Sequence, residues 1–210
     1  MREPGSRKAR SDFGSWFARA ILNWFSARPG GEGWLVMSDR GMEYNVLFLG
    51  NSNSARSVMA EAILNREGQG KFRACSAGIQ ANAEIDPHAI DLLRKMHFDV
   101  SALRSKDWSE VARDGAPAFD FVFTLCESAT LLPQSTWQGH PVFAHWGIPN
   151  PAFAAGNDAE VRLAYADTFR MLSNRIGIFV NLPLRSLDLF SMQRKLDMIG
   201  KPAATATAAA

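Results

Sequence analysis

The chain has 210 residues, of which 47% are hydrophobic and 21% charged, and a net charge of +2 at pH 7. That suits a globular protein with one main domain, long enough to bury a core without staples, and so small a charge gives no ground for nucleic-acid binding. Its two cysteines, Cys75 and Cys126, exclude a disulfide scaffold and suit a reducing, cytoplasmic compartment, and no apolar run reaches the roughly 18 residues of a membrane span.

The charge is unevenly placed. Residues 1–28 hold Arg2, Arg7, Lys8, Arg10, Arg19 and Arg28 against Glu3 and Asp12, a net +4 that leaves −2 for the remainder. Within residues 1–42, Phe13, Trp16, Phe17, Ala20, Ile21, Trp24 and Phe25 recur at helical spacing and would share one face. Three readings stay open for this N-terminal extension: a start placed ahead of Met37 or a disordered arm; a helix docked on the domain or a partner; a basic amphipathic helix at a membrane surface. The run at 28–33, Arg-Pro-Gly-Gly-Glu-Gly, reads as a linker.

From residue 43 apolar strands and helices alternate. The expected elements are strands at 45–49, 72–76, 120–126 and 141–145, and helices at 57–66, 87–96, 158–180 and 186–199. Pro87 fits the first turn of its helix with Asp86 as cap. Val161, Tyr165, Thr168, Leu172, Ile176 and Phe179 mark the buried face of the long helix. Residues 201–210 are rich in Ala and Thr and read as a disordered tail. Apolar strands alternating with helices imply an α/β domain over 43–200, its parallel sheet covered on both faces. Ligands bind such sheets at the carboxyl ends of the strands, where residues 50–57, 126–128 and 145–151 should converge.

The segment Val46-Leu-Phe-Leu-Gly50-Asn51-Ser52-Asn53-Ser54-Ala55-Arg56-Ser57 reads as strand, small polar loop and helix start. A helix beginning there aims unpaired N–H groups and its positive dipole end back at the strand. Small residues let the backbone wrap a tetrahedral anion. Arg56 adds a planar fork of donors, and Asn53 and Ser54 can brace the loop. Asn51 to Ser57 are therefore the candidate oxyanion-binding residues.

This segment, with Met59-Ala60-Glu61-Ala62 behind it, resembles the signature of the low-molecular-weight protein tyrosine phosphatase superfamily, and most closely its thiol-dependent bacterial arsenate reductases. Segments 76–78, 119–126 and 145–152 resemble family segments in the family order, and 181–200 resembles the C-terminal extension of one bacterial subgroup. The resemblance implies a three-layer, flavodoxin-like fold with a four-stranded parallel sheet. It also implies a phosphate or arsenate ligand, and a phosphorylated protein or an external thiol reductant as partner. No metal or other cofactor is implied, and the setting would be bacterial arsenic resistance.

Three positions depart from what the resemblance implies. The family's nucleophilic cysteine stands six positions before the loop arginine; six before Arg56 is Gly50. Glycine has no side chain with which to attack. The family's general acid is an aspartate before proline; here the pair is Asn150-Pro151, and an amide cannot serve as a carboxylic acid. Cys126 occupies the first of the reductases' later cysteine positions, but no cysteine follows near Gln134. The expectation is an oxyanion-binding loop with impaired thiol chemistry.

Other candidates are weaker. Cys126 could be a redox thiol or an alternative nucleophile. His145 and Trp146 could line the pocket mouth. Ser52 and Ser54 carry hydroxyls without an evident base. Cys75 reads as a core residue, and His88, His97 and the cysteines lack metal-ligand spacing.

Overall fold

The computed structural model describes residues 43–113 and 115–201. The expected N-terminal helix and linker, and all but the first residue of the expected tail, lie outside the described residues.

Four short apolar segments pair side by side: β1 (Tyr44–Gly50), β2 (Phe72–Gly78), β3 (Phe121–Thr124) and β4 (Val142–His145). All pairings are parallel, in the order β2-β1-β3-β4. Parallel strands need crossover connections. The chain supplies α1 (Arg56–Glu67), α2 (Pro87–Lys95) and the five-residue α3 (Trp108–Ala112), followed by α4 (Asp158–Val180) and α5 (Leu189–Gly200).

Strand residues alternate faces. Val46 and Phe48 point into the larger core cluster, with Phe72, Phe121, Phe123 and Trp146, beneath α1, α4 and α5. Leu47, Leu49, Ala77 and Val122 point to the other face, where Trp108, Val111 and Ala112 of α3 and the side chain of Trp137 cover them. Among the described residues, one face thus carries long helices, and the other a single short helix with turns. Residues Ser57 to Leu64 of α1 are all buried, because the helix is wedged between the sheet and α4.

The long helix takes its expected bounds. Asn157 accepts from the N–H groups of Ala159 and Glu160, and Glu160 bonds back to the cap, closing a capping box. Its expected buried face is buried except for half-buried Val161. Asp86 caps α2 by accepting from His88 N, with Pro87 in the first turn. Elsewhere the elements shift. The last helix begins at Leu189, because Asp188 caps it through Ser191 N and a separate 3-10 turn occupies Leu184–Ser186. The third strand ends at Thr124, where the register with β4 ends.

β1 leads outward to β2, and the chain then crosses over to β3 on the other side of β1. That reversal opens a crevice at the carboxyl ends of β1 and β3. The loop after Gly50 and the turn after Thr124 both begin there.

Candidate oxyanion site

The loop from Asn51 to Ala55 is turned inside out by its neighbours. The carbonyls of Gly50, Asn51, Ser52 and Ser54 accept from the N–H groups of Ile79, Gln80, Asn82 and Asp86 at 3.1, 2.9, 2.8 and 2.9 Å. In a trans peptide the N–H lies opposite the C=O. Tying the carbonyls outward therefore turns the loop amides inward. None of the N–H groups of residues 51–57 donates to a protein acceptor among the described residues. Asn53 lies in the left-handed region at φ 46°, which lets successive amides converge as a nest. The start of α1 behind them adds the helix dipole.

A buried ring of side chains holds Asn53 in that conformation. Its Nδ2 donates to Ser57 Oγ at 2.9 Å and to Ser76 Oγ at 2.8 Å, and its Oδ1 accepts from Lys106 N at 2.7 Å. Ser76 Oγ donates to Glu61 Oε2 at 2.5 Å, and Lys106 Nζ closes the ring on the same carboxylate oxygen at 3.1 Å. Glu61 and Lys106 are 8% and 7% exposed, so this is a buried ion pair whose charges balance beneath the loop. Gly78 is required for this approach. A Cβ there would stand 2.7 Å from Asn51 O and 2.8 Å from Asn53 N, both backbone atoms.

Arg56 leans across the crevice. Its Nη1 donates to Ile148 O at 2.8 Å and Leu125 O at 3.2 Å, fixing the guanidinium plane, while Nε and Nη2 bond no protein acceptor among the described residues. Burial lowers its pKa and the nearby Cys126 opposes that shift; an arginine stays charged throughout. Nine residues line the resulting concavity: Gly50 to Ser57 and Asn150. All seven sequence-predicted oxyanion residues are therefore brought together, with Gly50 and Asn150 at the same opening.

Gly50 ends β1 at the floor. A Cβ added there would meet Ser57 Oγ at 3.1 Å and Ser57 Cβ at 3.5 Å, so a Cβ fits once that hydroxyl gives a few tenths of an ångström. Asn150 Oδ1 accepts from Ala152 N at 3.4 Å and caps the turn Pro151–Phe153.

Cys126 lies at the border, half-buried. Its Sγ is 3.3 Å from Ser128 Oγ, and Ser128 Oγ donates to Asn51 Oδ1 at 3.3 Å. Ser52 and Ser54 bond each other at 2.9 Å, with no base beside either among their described bonds.

Three expectations need correction. Trp146 does not line the mouth. It is fully buried, stacked on Phe123 at 3.9 Å, with Nε1 donating to Leu196 O at 3.1 Å, because α5 folds over β4. His145 is not among the lining residues; its Nδ1 lies 2.9 Å from Thr124 Oγ1 and its Nε2 3.5 Å from Glu127 Oε1. Cys75 is half-buried rather than core. It borders a separate cavity of about 520 Å³ shared with Arg73, Val111 and Phe119. Burial pushes the Cys75 thiol up and the Glu61 carboxylate adds to that. Among the described residues, no His, Cys, Asp and Glu cluster could hold a metal ion, and no helix is long and apolar enough to cross a membrane.

Lys106 and Ser76 were not singled out from sequence as supports of the loop. Lys106 sits in a connection 45 positions from Glu61. The structure shows a capping box, Asp107 with Glu110, immediately after it.

Residues 45–182 match the family described as low molecular weight phosphotyrosine protein phosphatase. The chain is 32% identical to the arsenate reductase of Oceanobacillus iheyensis over 138 residues, 64% of this chain and 93% of that protein. Among solved structures it resembles an arsenate reductase in the phosphate binding state (28% identity, TM-score 0.50, 64% of this chain and 98% of that one). It also resembles the low molecular weight protein tyrosine phosphatase of T. tengcongensis (26% identity, TM-score 0.51, 66% and 98%). The inward amides, the fixed arginine and the 2-1-3-4 parallel sheet accord with these matches, and the chain belongs to the low molecular weight phosphotyrosine protein phosphatase family, with arsenate reductases among its relatives.

Proposed function

We propose that this protein is an oxyanion receptor of the arsenate reductase and low molecular weight phosphatase type, a pseudoenzyme without the family's thiol-dependent turnover. The observation that carries this reading is Gly50: the cradle around it is fully built, and the residue at its floor has no atom that could form a covalent bond to phosphorus or arsenic. Asn150 removes the proton donor from the same opening. The ligand would be phosphate, arsenate or a phosphorylated protein. Phe153 and Leu131, 85% and 82% exposed, sit on the two segments that border the cradle and suit a partner larger than an inorganic ion. The chain would act by holding that ligand or by regulating an active relative.

A second reading rests on Cys126. Its link through Ser128 to Asn51, and its electrostatic effect on Arg56, favour a thiol within the field of the site. In that reading Cys126, with an external thiol as reductant, performs altered chemistry, and Cys126→Ser abolishes it.

Phosphate titration followed by thermal unfolding tests the receptor reading. Saturation to a hundredfold Kd adds about 2.7 kcal/mol, or about 5–10 °C for a domain of this size. Arg56→Ala should lower the basal melting temperature slightly and abolish the phosphate-induced rise. A wild-type melting temperature indifferent to phosphate and arsenate would overturn the reading.

A further inference from the structure

We propose that the cavity beside Cys75 is a second ligand site, separate from the oxyanion cradle, and that it takes an aromatic carboxylate: an apolar ring system with one anionic group at its edge.

The cavity follows from the uneven cover of the sheet. Side chains alternate along a strand, so Asn45 and Arg73, which pair in register, share a face with Leu47, Leu49, Cys75 and Ala77. A parallel sheet needs cover on both faces. Here the helical cover among the described residues is α3, whose five residues rise only about 7.5 Å. The chain enters that helix beside the end of β2, where Gly78 bridges Asp107. The space between α3, the turn at 115–117 and the amino-terminal halves of β1 and β2 is the cavity of about 520 Å³. Small-molecule sites span roughly 300–1,000 Å³. The cavity shares no lining residue with the cradle. It lies towards the other end of the strands, since Asn45 is the second residue of β1 and Gly50 the last.

Most of the wall is apolar. Val111, Pro117 and Phe119 line it, and Cys75 adds a sulfur whose thiolate both burial and Glu61 disfavour. Aromatic and sulfur surfaces both pack well against a flat ring system. Asn45 is tied down by its Nδ2 donating to Ala118 O at 3.1 Å and its N donating to Asp120 Oδ2 at 2.7 Å, so that side of the cavity is preformed.

The charged groups of the wall favour an anion. Arg73 and Arg113 stand against one carboxylate, Glu110, and Glu110 is itself held at 2.8 Å by Arg104, which is not part of the lining. Arg73 Nε makes a long, exposed contact of 3.7 Å with Glu43, of a kind worth little. Each guanidinium is a planar fork that matches a carboxylate. Both arginines are exposed at the rim, which places the anionic group at the mouth and the rings inside.

Calorimetric titration of the full chain with 2-naphthoate and with its neutral amide, 2-naphthamide, tests the site. 2-Naphthoate should bind, and 2-naphthamide about tenfold more weakly, the factor a charge-assisted hydrogen bond supplies. Arg73→Glu with Arg113→Glu should weaken 2-naphthoate by at least as much and leave the phosphate titration unchanged. In the Cys126→Ser chain, where Cys75 is the remaining cysteine, 2-naphthoate should slow alkylation by N-ethylmaleimide and inorganic phosphate should not. Failure of 2-naphthoate to bind, equal affinity for the amide, indifference to the two charge reversals, or unslowed alkylation would each overturn the site. Displacement of 2-naphthoate by phosphate would overturn it too, by placing both in the cradle. The receptor reading stands or falls separately, on the phosphate-induced rise in melting temperature.

Discussion

Gly50→Cys combined with Asn150→Asp should give a measurable aryl phosphatase. The cysteine would stand at the floor of converging amides, at a helix start and facing Arg56, the environment that lowers a thiol's pKa into the reactive range. Its Cβ is accommodated once the Ser57 hydroxyl at 3.1 Å yields by a few tenths of an ångström. The aspartate would keep the bond that Asn150 makes with Ala152 N and add a carboxylic acid for the leaving oxygen. Nucleophile loss in a hydrolase costs on the order of 10⁶ in rate; general acid catalysis contributes about 10²–10⁴. Gly50→Cys alone should therefore hydrolyse p-nitrophenyl phosphate, whose leaving group needs little help. The double variant should exceed it on phenyl phosphate by about 10²–10⁴, and Asn150→Asp alone should stay inert. Initial rates on both esters decide this. A wild type as active as Gly50→Cys would show that Gly50 does not disable the chain.

Lys106→Met should be among the most damaging substitutions in the domain. It strands the Glu61 carboxylate, which is 8% exposed and whose charged partner stands at 3.1 Å. Breaking a buried pair by removing one partner costs about 3–5 kcal/mol, a fall in melting temperature of about 6–20 °C. Glu61→Gln in the same chain removes the uncompensated charge and keeps an acceptor for Ser76 Oγ, so much of the loss should return. The damage should also reach the cradle, because Lys106 N is the donor that holds Asn53 Oδ1 at 2.7 Å. Thermal unfolding of the two single variants and the double variant, with and without phosphate, measures both effects. Equal melting temperatures for Lys106→Met and wild type would contradict the ring as a support of the loop.

Local signals in the sequence carried the loop and the long helix. The segment from Asn51 to Ser57 announces its chemistry through small residues, a helix start and one arginine within a few positions. The bounds of α4 follow from the cap Asn157 with Glu160 and from a 3.6-residue apolar stripe. Other features lie between elements and leave no local trace. Trp146 reads alone as a rim aromatic; its burial depends on α5 folding back so that Leu196 O meets the indole N–H. The Glu61–Lys106 pair joins a helix to a connection 45 positions away. The five-residue α3 is too short to show a period, and only its capping box marks it. The departures from the family pattern, Gly50 six positions before Arg56 and Asn150 before Pro151, are by contrast local features of the sequence.

Equilibrium dialysis of the wild-type chain against arsenate with glutathione, followed by speciation of the arsenic, meets the central claim most directly. An intact cradle without a nucleophile predicts saturable retention of arsenic as As(V), lost in Arg56→Ala, with no As(III) above the protein-free control. As(III) accumulating with the protein, or no retention of arsenate, would contradict it.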